Sequence, residues 1–161
     1  MTTRSPKILL VDDSEICRET TKYQLAAYGY DVIALDSPFG FGVALGKEQP
    51  DLVLVDAQMP ALTGDKLVEI ARRNRLCSCP IVIYSDRPDL DVLAASCGAA
   101  GFIPKTADAR ELVRAIGDFL SRPPESAGAS SASMSSPSRS DARDRDPKSS
   151  DGDAKGRVRS R

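Results

Sequence analysis

Apolar residues along this chain fall into two patterns. Short unbroken runs, such as Ile8-Leu9-Leu10-Val11, Leu52-Val53-Leu54-Val55 and Ile81-Val82-Ile83-Tyr84, alternate with longer stretches where apolar positions recur every three or four residues. Unbroken runs of this length read as strands covered on both faces, and the 3–4 spacing reads as amphipathic helix. Five strands are predicted, at Lys7–Val11, Val32–Leu35, Leu52–Asp56, Ile81–Ser85 and Gly101–Ile103. Helices are predicted near 15–28, 38–48, 64–74, 89–96 and 108–120. In the last, Leu112, Val113, Ile116 and Leu120 share a face, and Asp108 and Glu111 suit its N-terminal cap. The start of the second helix, Pro38-Phe39-Gly40-Phe41-Gly42-Val43, carries two glycines, which weaken it. Five β-α units predict an α/β fold, a doubly wound parallel sheet with helices on both faces.

Composition changes the picture near Ser121. Residues 1–120 hold 13 Lys/Arg and 17 Asp/Glu, a net of −4, whereas 121–161 hold 9 and 6, a net of +3. Met134 and Val158 are the only large apolar residues of the second stretch, which is otherwise rich in Ser, Pro, Arg and Asp. Such a segment buries too little surface to offset its ordering entropy. The expected organisation is one folded domain, 1–120, and a disordered tail, 121–161, with no DNA-binding domain. Interleaved acids and the absence of aromatics predict a solvated tail in preference to a nucleic-acid contact. No run approaches the roughly 18–20 apolar residues of a membrane span, and the N-terminus lacks a signal-peptide profile. A cytoplasmic location is the expectation.

Two residue types narrow the chemistry. Histidine is absent, which excludes a Ser-His-Asp triad, a Cys-His dyad and a histidine-ligated metal. Four cysteines, Cys17, Cys77, Cys79 and Cys97, are expected to be reduced thiols. Cys77-Ser78-Cys79 has one intervening residue where zinc sites commonly have two to four, so zinc is a weak reading.

The polar residues that end the strands carry the candidate chemistry. Asp12-Asp13 follows the first strand, Asp56 ends the third, Ser85 the fourth, and Lys105 lies just after the fifth. Ligands of open parallel sheets bind outside the carboxyl ends of the strands. Three acids at one edge repel each other unless a cation is bound, and an all-oxygen set with open positions suits Mg²⁺. Asp56 is then placed to attack phosphorus as a carboxylate nucleophile, with Lys105 and the Ser85 hydroxyl available to a phosphoryl group. Taken singly, each residue has a plainer reading. A carboxylate after a strand is commonly a cap or turn residue, Phe102 a core aromatic, and Lys105 a surface charge.

The conjunction of Asp12-Asp13, Asp56-Ala57-Gln58-Met59-Pro60 followed by Gly64, Tyr84-Ser85, and Gly98-Ala99 with Phe102 and Lys105 resembles the receiver domain of two-component response regulators. The resemblance spans about residues 7–120. It implies a CheY-like (flavodoxin-like) strand order of 2-1-3-4-5, with Asp56 as phosphoacceptor. It also implies a Mg²⁺ site made by Asp12, Asp13, Asp56 and the Gln58 backbone carbonyl. Ser85 and Phe102 match the hydroxyl–aromatic switch pair, and Lys105 the phosphate-binding lysine. A sensor histidine kinase or histidine phosphotransfer protein is the implied donor, and an unidentified protein the implied target. Such a domain is not an enzyme beyond its own phosphorylation and dephosphorylation.

Three positions depart from the family pattern. Thr106 follows Lys105 where proline in a cis bond is common; a cis bond without proline costs about 2.5–4 kcal/mol, so the loop is expected to be trans or strained. Asp86 follows Ser85 where a small residue is usual, so it either modulates the pocket by repelling phosphoryl donors or caps a helix together with Asp89. Cys77 and Cys79 have no counterpart role. These departures leave a pseudo-receiver, a binding module of the same fold that phosphate does not switch, as the alternative. An aspartate-nucleophile phosphatase of haloacid-dehalogenase type is a third. It places its two acids in a D-x-D arrangement, whereas Asp12 and Asp13 are adjacent.

Overall fold

Successive residues of a strand point to opposite faces of its sheet, so an unbroken apolar run needs cover on both sides. The computed structural model, which describes residues 4–122, supplies that cover. The chain runs β1 (Lys7–Val11), α1 (Glu15–Ala27), β2 (Asp31–Leu35), α2 (Phe41–Glu48), β3 (Leu52–Val55), α3 (Gly64–Arg73), β4 (Ile81–Ser85), α4 (Leu90–Cys97), β5 (Gly101–Pro104) and α5 (Ala109–Leu120). The five strands form one parallel sheet in the order β2-β1-β3-β4-β5, as the resemblance implies.

Alternate strand residues build two separate cores. Leu9, Val11, Val53, Val55, Ile81 and Ile83 pack with Phe41 and Leu45 of α2, Leu67, Val68 and Ala71 of α3, and Leu90 and Ala94 of α4. Ile8, Leu10, Leu52, Leu54, Val82, Tyr84 and Ile103 pack on the other face with Leu25 of α1 and Leu112, Ile116 and Phe119 of α5. Fully burying one such side chain is worth about 1.5–3 kcal/mol. The central strands β1, β3 and β4 are therefore the rigid frame on which the loops at the carboxyl edge are mounted.

Local chemistry sets the boundaries. α2 starts at Phe41, three residues later than its expected start, because Gly40 takes a left-handed φ of 84°. α5 opens with a full capping box, in which the Asp108 carboxylate accepts from the Arg110 and Glu111 amides and the Glu111 carboxylate accepts from the Asp108 amide. β5 is an edge strand, which is why Pro104 is tolerated opposite Ser85. Beyond it the Lys105 amide donates to the Ser85 carbonyl at 2.8 Å. Among the described residues no peptide bond is cis, so the Lys105–Thr106 bond is trans, one of the two expected outcomes. The expected tail, 121–161, lies outside the described residues apart from Ser121 and Arg122. No described helix is long and apolar enough to cross a membrane.

Candidate functional site at the carboxyl edge of the sheet

β1 and β3 are neighbours in register, Val11 opposite Val55, so the residues that follow them emerge side by side. Asp56 has left the strand, but its amide still donates to the Val11 carbonyl at 2.9 Å, which keeps its side chain over the strand ends. Asp12 is held likewise by a bond from its amide to the Leu35 carbonyl at 3.1 Å. Lys105 arrives from β5, two strands away, and bridges the acids: its Nζ lies 2.8 Å from Asp12 Oδ2 and 2.9 Å from Asp56 Oδ2. The contact with Asp56 is a well-directed hydrogen bond. That with Asp12 is a close ion pair without hydrogen-bond alignment, so Asp12 Oδ2 is buried with no true donor.

The remaining oxygens are partly used. Asp12 Oδ1 accepts from the Ser14 amide at 2.9 Å, and Asp56 Oδ1 from the Gln58 amide at 3.1 Å. The latter bond lays the Gln58 backbone against the Asp56 carboxylate. Asp12 is 0% and Asp56 5% exposed, whereas Asp13 is exposed. Carboxylate oxygens of the three acids lie within 4.8 Å of one another. At an effective dielectric of 20, each like-charge pair at such a distance repels by roughly 3–4 kcal/mol. One ammonium cannot neutralise three acids. Although burial pulls the Lys105 pKa down, the flanking Asp12 and Asp56 carboxylates raise it above the ordinary lysine value, so the group is fixed as a cation.

Ser85 supplies the other unfinished element. Its hydroxyl is 0% exposed and has no hydrogen-bond partner. A buried polar group left unpaired costs about 1–3 kcal/mol, and such a group in a native fold calls for an explanation. An oxygen-rich ligand seated among Asp56, Lys105 and Ser85 would satisfy it. Three converging carboxylates fit a hard divalent cation, and together with the orphaned hydroxyl they fit a cation and a phosphoryl group side by side.

Gly64, at the start of α3, has a reason that its place in a motif does not reveal. A Cβ there would collide with the Asp56 carbonyl oxygen and crowd the Ala57 Cα at 3.0 Å. The Gly64 amide donates to the Ala57 carbonyl at 3.1 Å. Only glycine lets α3 start this close to the backbone that carries Asp56.

The other expected residues sit at the rim. Phe102 is 41% exposed and lines a surface cavity with Ile103, Pro104 and Glu111. Asp86 is exposed. Asp89 occupies the cap position of α4 but makes no side-chain cap bond; its carboxylate pairs with Arg87 at 2.6 and 2.8 Å. The reading of Asp86 and Asp89 as a joint helix cap is therefore corrected: the nearby guanidinium takes the carboxylate. Ser14, by contrast, does cap α1, accepting from the Cys17 amide at 3.4 Å.

Two further residues support the site. Arg18 donates from Nη1 to the Asp12 carbonyl at 3.0 Å, pinning the first loop. Tyr84 lies beneath Lys105, its ring centroid 5.8 Å from Nζ, and its hydroxyl meets Thr21 Oγ1 at 3.4 Å. Burial raises the Tyr84 phenol above its ordinary pKa, so it stays neutral.

Comparison with known families decides the relationship. The family model described as the response regulator receiver domain matches residues 8–117. The chain belongs to the response regulator receiver family. The receiver is 31% identical over 118 residues to the transcriptional regulatory protein CseB of Streptomyces coelicolor, covering 71% of this chain and 49% of that one. It is 29% identical over 117 residues to the alkaline phosphatase synthesis transcriptional regulatory protein PhoP of Bacillus subtilis, covering 72% and 49%. The matched receiver region thus spans about half the length of these relatives. Among solved structures, a putative response regulator from Chloroflexus aurantiacus superposes with a TM-score of 0.68 at 24% identity, covering 73% of this chain and 99% of that one. The Vibrio cholerae chemotaxis protein CheY4 gives 0.66 at 24%, covering 71% and 98%. At these identities the structures speak for the fold alone.

Proposed function

We propose that this receiver is a phosphorylation switch, with Asp56 as its acceptor. The observation that carries the reading is the buried Asp56 carboxylate, clamped by Lys105, whose amide donates to Ser85, a residue with a buried hydroxyl that has no partner. In the proposed reaction a carboxylate oxygen of Asp56 attacks the phosphorus of a phosphohistidine on a sensor histidine kinase or phosphotransfer protein. The P–N bond breaks, a P–O bond forms, and the released imidazole takes up a proton. Asp12, Asp13, Asp56 and the Gln58 carbonyl would hold Mg²⁺, which neutralises acid repulsion and shields the incoming phosphoryl charge. Lys105 orients the phosphoryl oxygens with a fixed positive charge, and the Ser85 hydroxyl donates to one of them.

The acyl phosphate gives Ser85 the acceptor it lacks. In this reading the hydroxyl moves toward the phosphoryl group and Phe102 turns from its exposed position into the space vacated. The face made by α4, β5 and α5 then changes shape for a protein target. Moving such an equilibrium from 1:99 to 99:1 takes about 5.5 kcal/mol, which a few charge-assisted hydrogen bonds approach. We take residues 1–120 as the receiver, in a cytoplasmic protein whose output runs through protein contacts. The exposed carboxylate of Asp86, next to Ser85, favours the second reading, a pseudo-receiver that phosphate does not switch.

Incubation with Mg²⁺ and acetyl phosphate, followed by intact mass, tests the proposal. One phosphoryl adduct, lost on adding EDTA and absent from Asp56→Ala, is the expected result. No adduct under conditions that label another receiver, and none from a phosphohistidine donor, supports the pseudo-receiver.

A further inference from the structure

The loop between α3 and β4, at the opposite edge of the sheet from Asp56, carries two thiols that the phosphoryl site does not use. We propose that Cys77 and Cys79 form a peroxide-sensitive dithiol, with Cys77 the attacking sulfur and Cys79 the resolving one. Both are half-buried, and with Leu45, Gln49, Pro50 and Leu76 they line a cavity of about 310 Å³. The reduced Cys77 thiol donates to the Cys79 carbonyl, Sγ to O 3.9 Å, a bond given up when the thiol ionises.

Arg72 makes this loop electropositive. Its Nη1 donates to the Cys77 and Cys79 carbonyls at 3.5 and 3.2 Å, and its Nε to the Gly98 carbonyl at 3.3 Å. Its Nη2 is buried and has no acceptor. A guanidinium tied to the loop and still short of one acceptor is a setting in which an anionic sulfur is favoured. Cys79 and Arg72 are the groups that act on Cys77. The neighbouring Cys79 thiol, then Arg72, draw Cys77 down to about 7 against a burial that pushes it up, while the Cys79 thiol is raised well above its ordinary range. Of the two sulfurs, Cys77 is the one favoured to ionise. Cys97, buried among apolar residues, is pushed up by that burial and is the inert comparison.

The chemistry balances with a hydroperoxide as oxidant. The Cys77 thiolate attacks an oxygen of the O–O bond; that bond breaks, water or an alcohol leaves after taking a proton, and Cys77 becomes a sulfenic acid. The Cys79 thiol loses its proton and attacks the sulfenic sulfur. An S–S bond forms as hydroxide leaves and is protonated to water. The two thiols lose two electrons and the hydroperoxide gains them. Two residues span at most about 7 Å of extended chain, and disulfides take Cα separations of about 4.4–6.8 Å. The chain also bends at Ser78-Cys79, which shortens that span. A link across one residue makes a tight ring, which a reducing compartment would reopen.

The test uses the full chain, reduced and then exposed to hydrogen peroxide, with intact mass and peptide mapping. The expected product is a Cys77–Cys79 link with loss of two hydrogens. In Cys79→Ser, a sulfenic acid at Cys77 should be trapped by dimedone. At pH 7, iodoacetamide should alkylate Cys77 faster than Cys97, and Arg72→Gln should reduce that advantage. Folded protein, checked by circular dichroism, that forms no such link and alkylates Cys77 no faster than Cys97 would overturn the proposal. So would a peroxide-driven link through Cys17 or Cys97.

Discussion

β3 is flanked by two aspartates that do opposite things. Asp51, just before the strand, has its oxygens filled: Oδ2 accepts from the Lys7 amide at 2.7 Å and Oδ1 from Arg4 Nη2 at 2.7 Å. Asp56, just after it, shares a single ammonium with Asp12 and lies within 4.8 Å of two further carboxylates, while Ser85, at the end of β4, carries a buried hydroxyl without a partner. Both are acids at strand ends, a setting that by itself reads as a turn or cap. The difference is in satisfaction. A carboxylate whose acceptors are met by backbone and arginine holds structure; one crowded with like charge beside an orphaned donor is placed for a ligand.

The largest effect should break the comparison at its centre. Asp56→Asn abolishes the phosphoryl adduct, whereas Asp51→Asn keeps it and instead lowers stability by about 1–2 kcal/mol, the worth of a charge-assisted bond at a partly exposed site. Chemical denaturation beside intact mass separates the two outcomes.

Next is the shared cation. Lys105→Ala leaves two buried carboxylates unpaired, and removing one partner of a buried ion pair costs about 3–5 kcal/mol. The loss should be largest without Mg²⁺ and shrink as Mg²⁺ is added, read from urea midpoints. The sign with pH follows from the raised Lys105 pKa. Its stabilisation is complete below the ordinary lysine value, about 10.4, and is lost as pH rises through the higher folded value. The wild-type protein should therefore lose stability in strong alkali more steeply than the variant.

Gly64→Ala should cost about 1–3 kcal/mol by overpacking and displace Asp56, so labelling slows even where the fold survives. Thermal melts and labelling rates measured together would show it. Ser85→Ala sharpens the contrast in the opposite direction. Removing a buried, unpaired hydroxyl should leave stability unchanged or raise it by up to about 1 kcal/mol, a rise of several degrees in Tm for a domain of this size, while shortening or weakening the phosphorylated state. Asp86→Ala, the smallest effect, should speed labelling a few-fold by removing an exposed negative charge near the pocket, with stability within about 0.5 kcal/mol of wild type.

Much of this was legible in the chain because the relevant signals are local. Unbroken apolar runs mark β1, β3 and β4 because those strands are covered on both faces, and the Asp108/Glu111 box marks the start of α5. Asp12, Asp56, Ser85 and Lys105 were legible as a group because a parallel sheet delivers every strand end to one edge. What escaped depends on contacts between distant segments. The bond from Arg18 to the Asp12 carbonyl, the approach of Gly64 to the Asp56 backbone and the grip of Arg72 on the Cys77–Cys79 loop have no periodicity to announce them. Asp89 makes no side-chain cap bond because Arg87, two residues away, takes its carboxylate. The exposure of Phe102, on the edge strand β5, is likewise not marked in the chain.

The most direct test of the central claim is to locate the phosphoryl group. Protein labelled with acetyl phosphate and Mg²⁺ is treated with borohydride, which reduces an aspartyl phosphate to homoserine, and its peptides are sequenced by mass spectrometry. The account predicts homoserine at position 56 alone. Homoserine at position 12, 13 or 51, or none in protein shown by intact mass to carry the adduct, would contradict it.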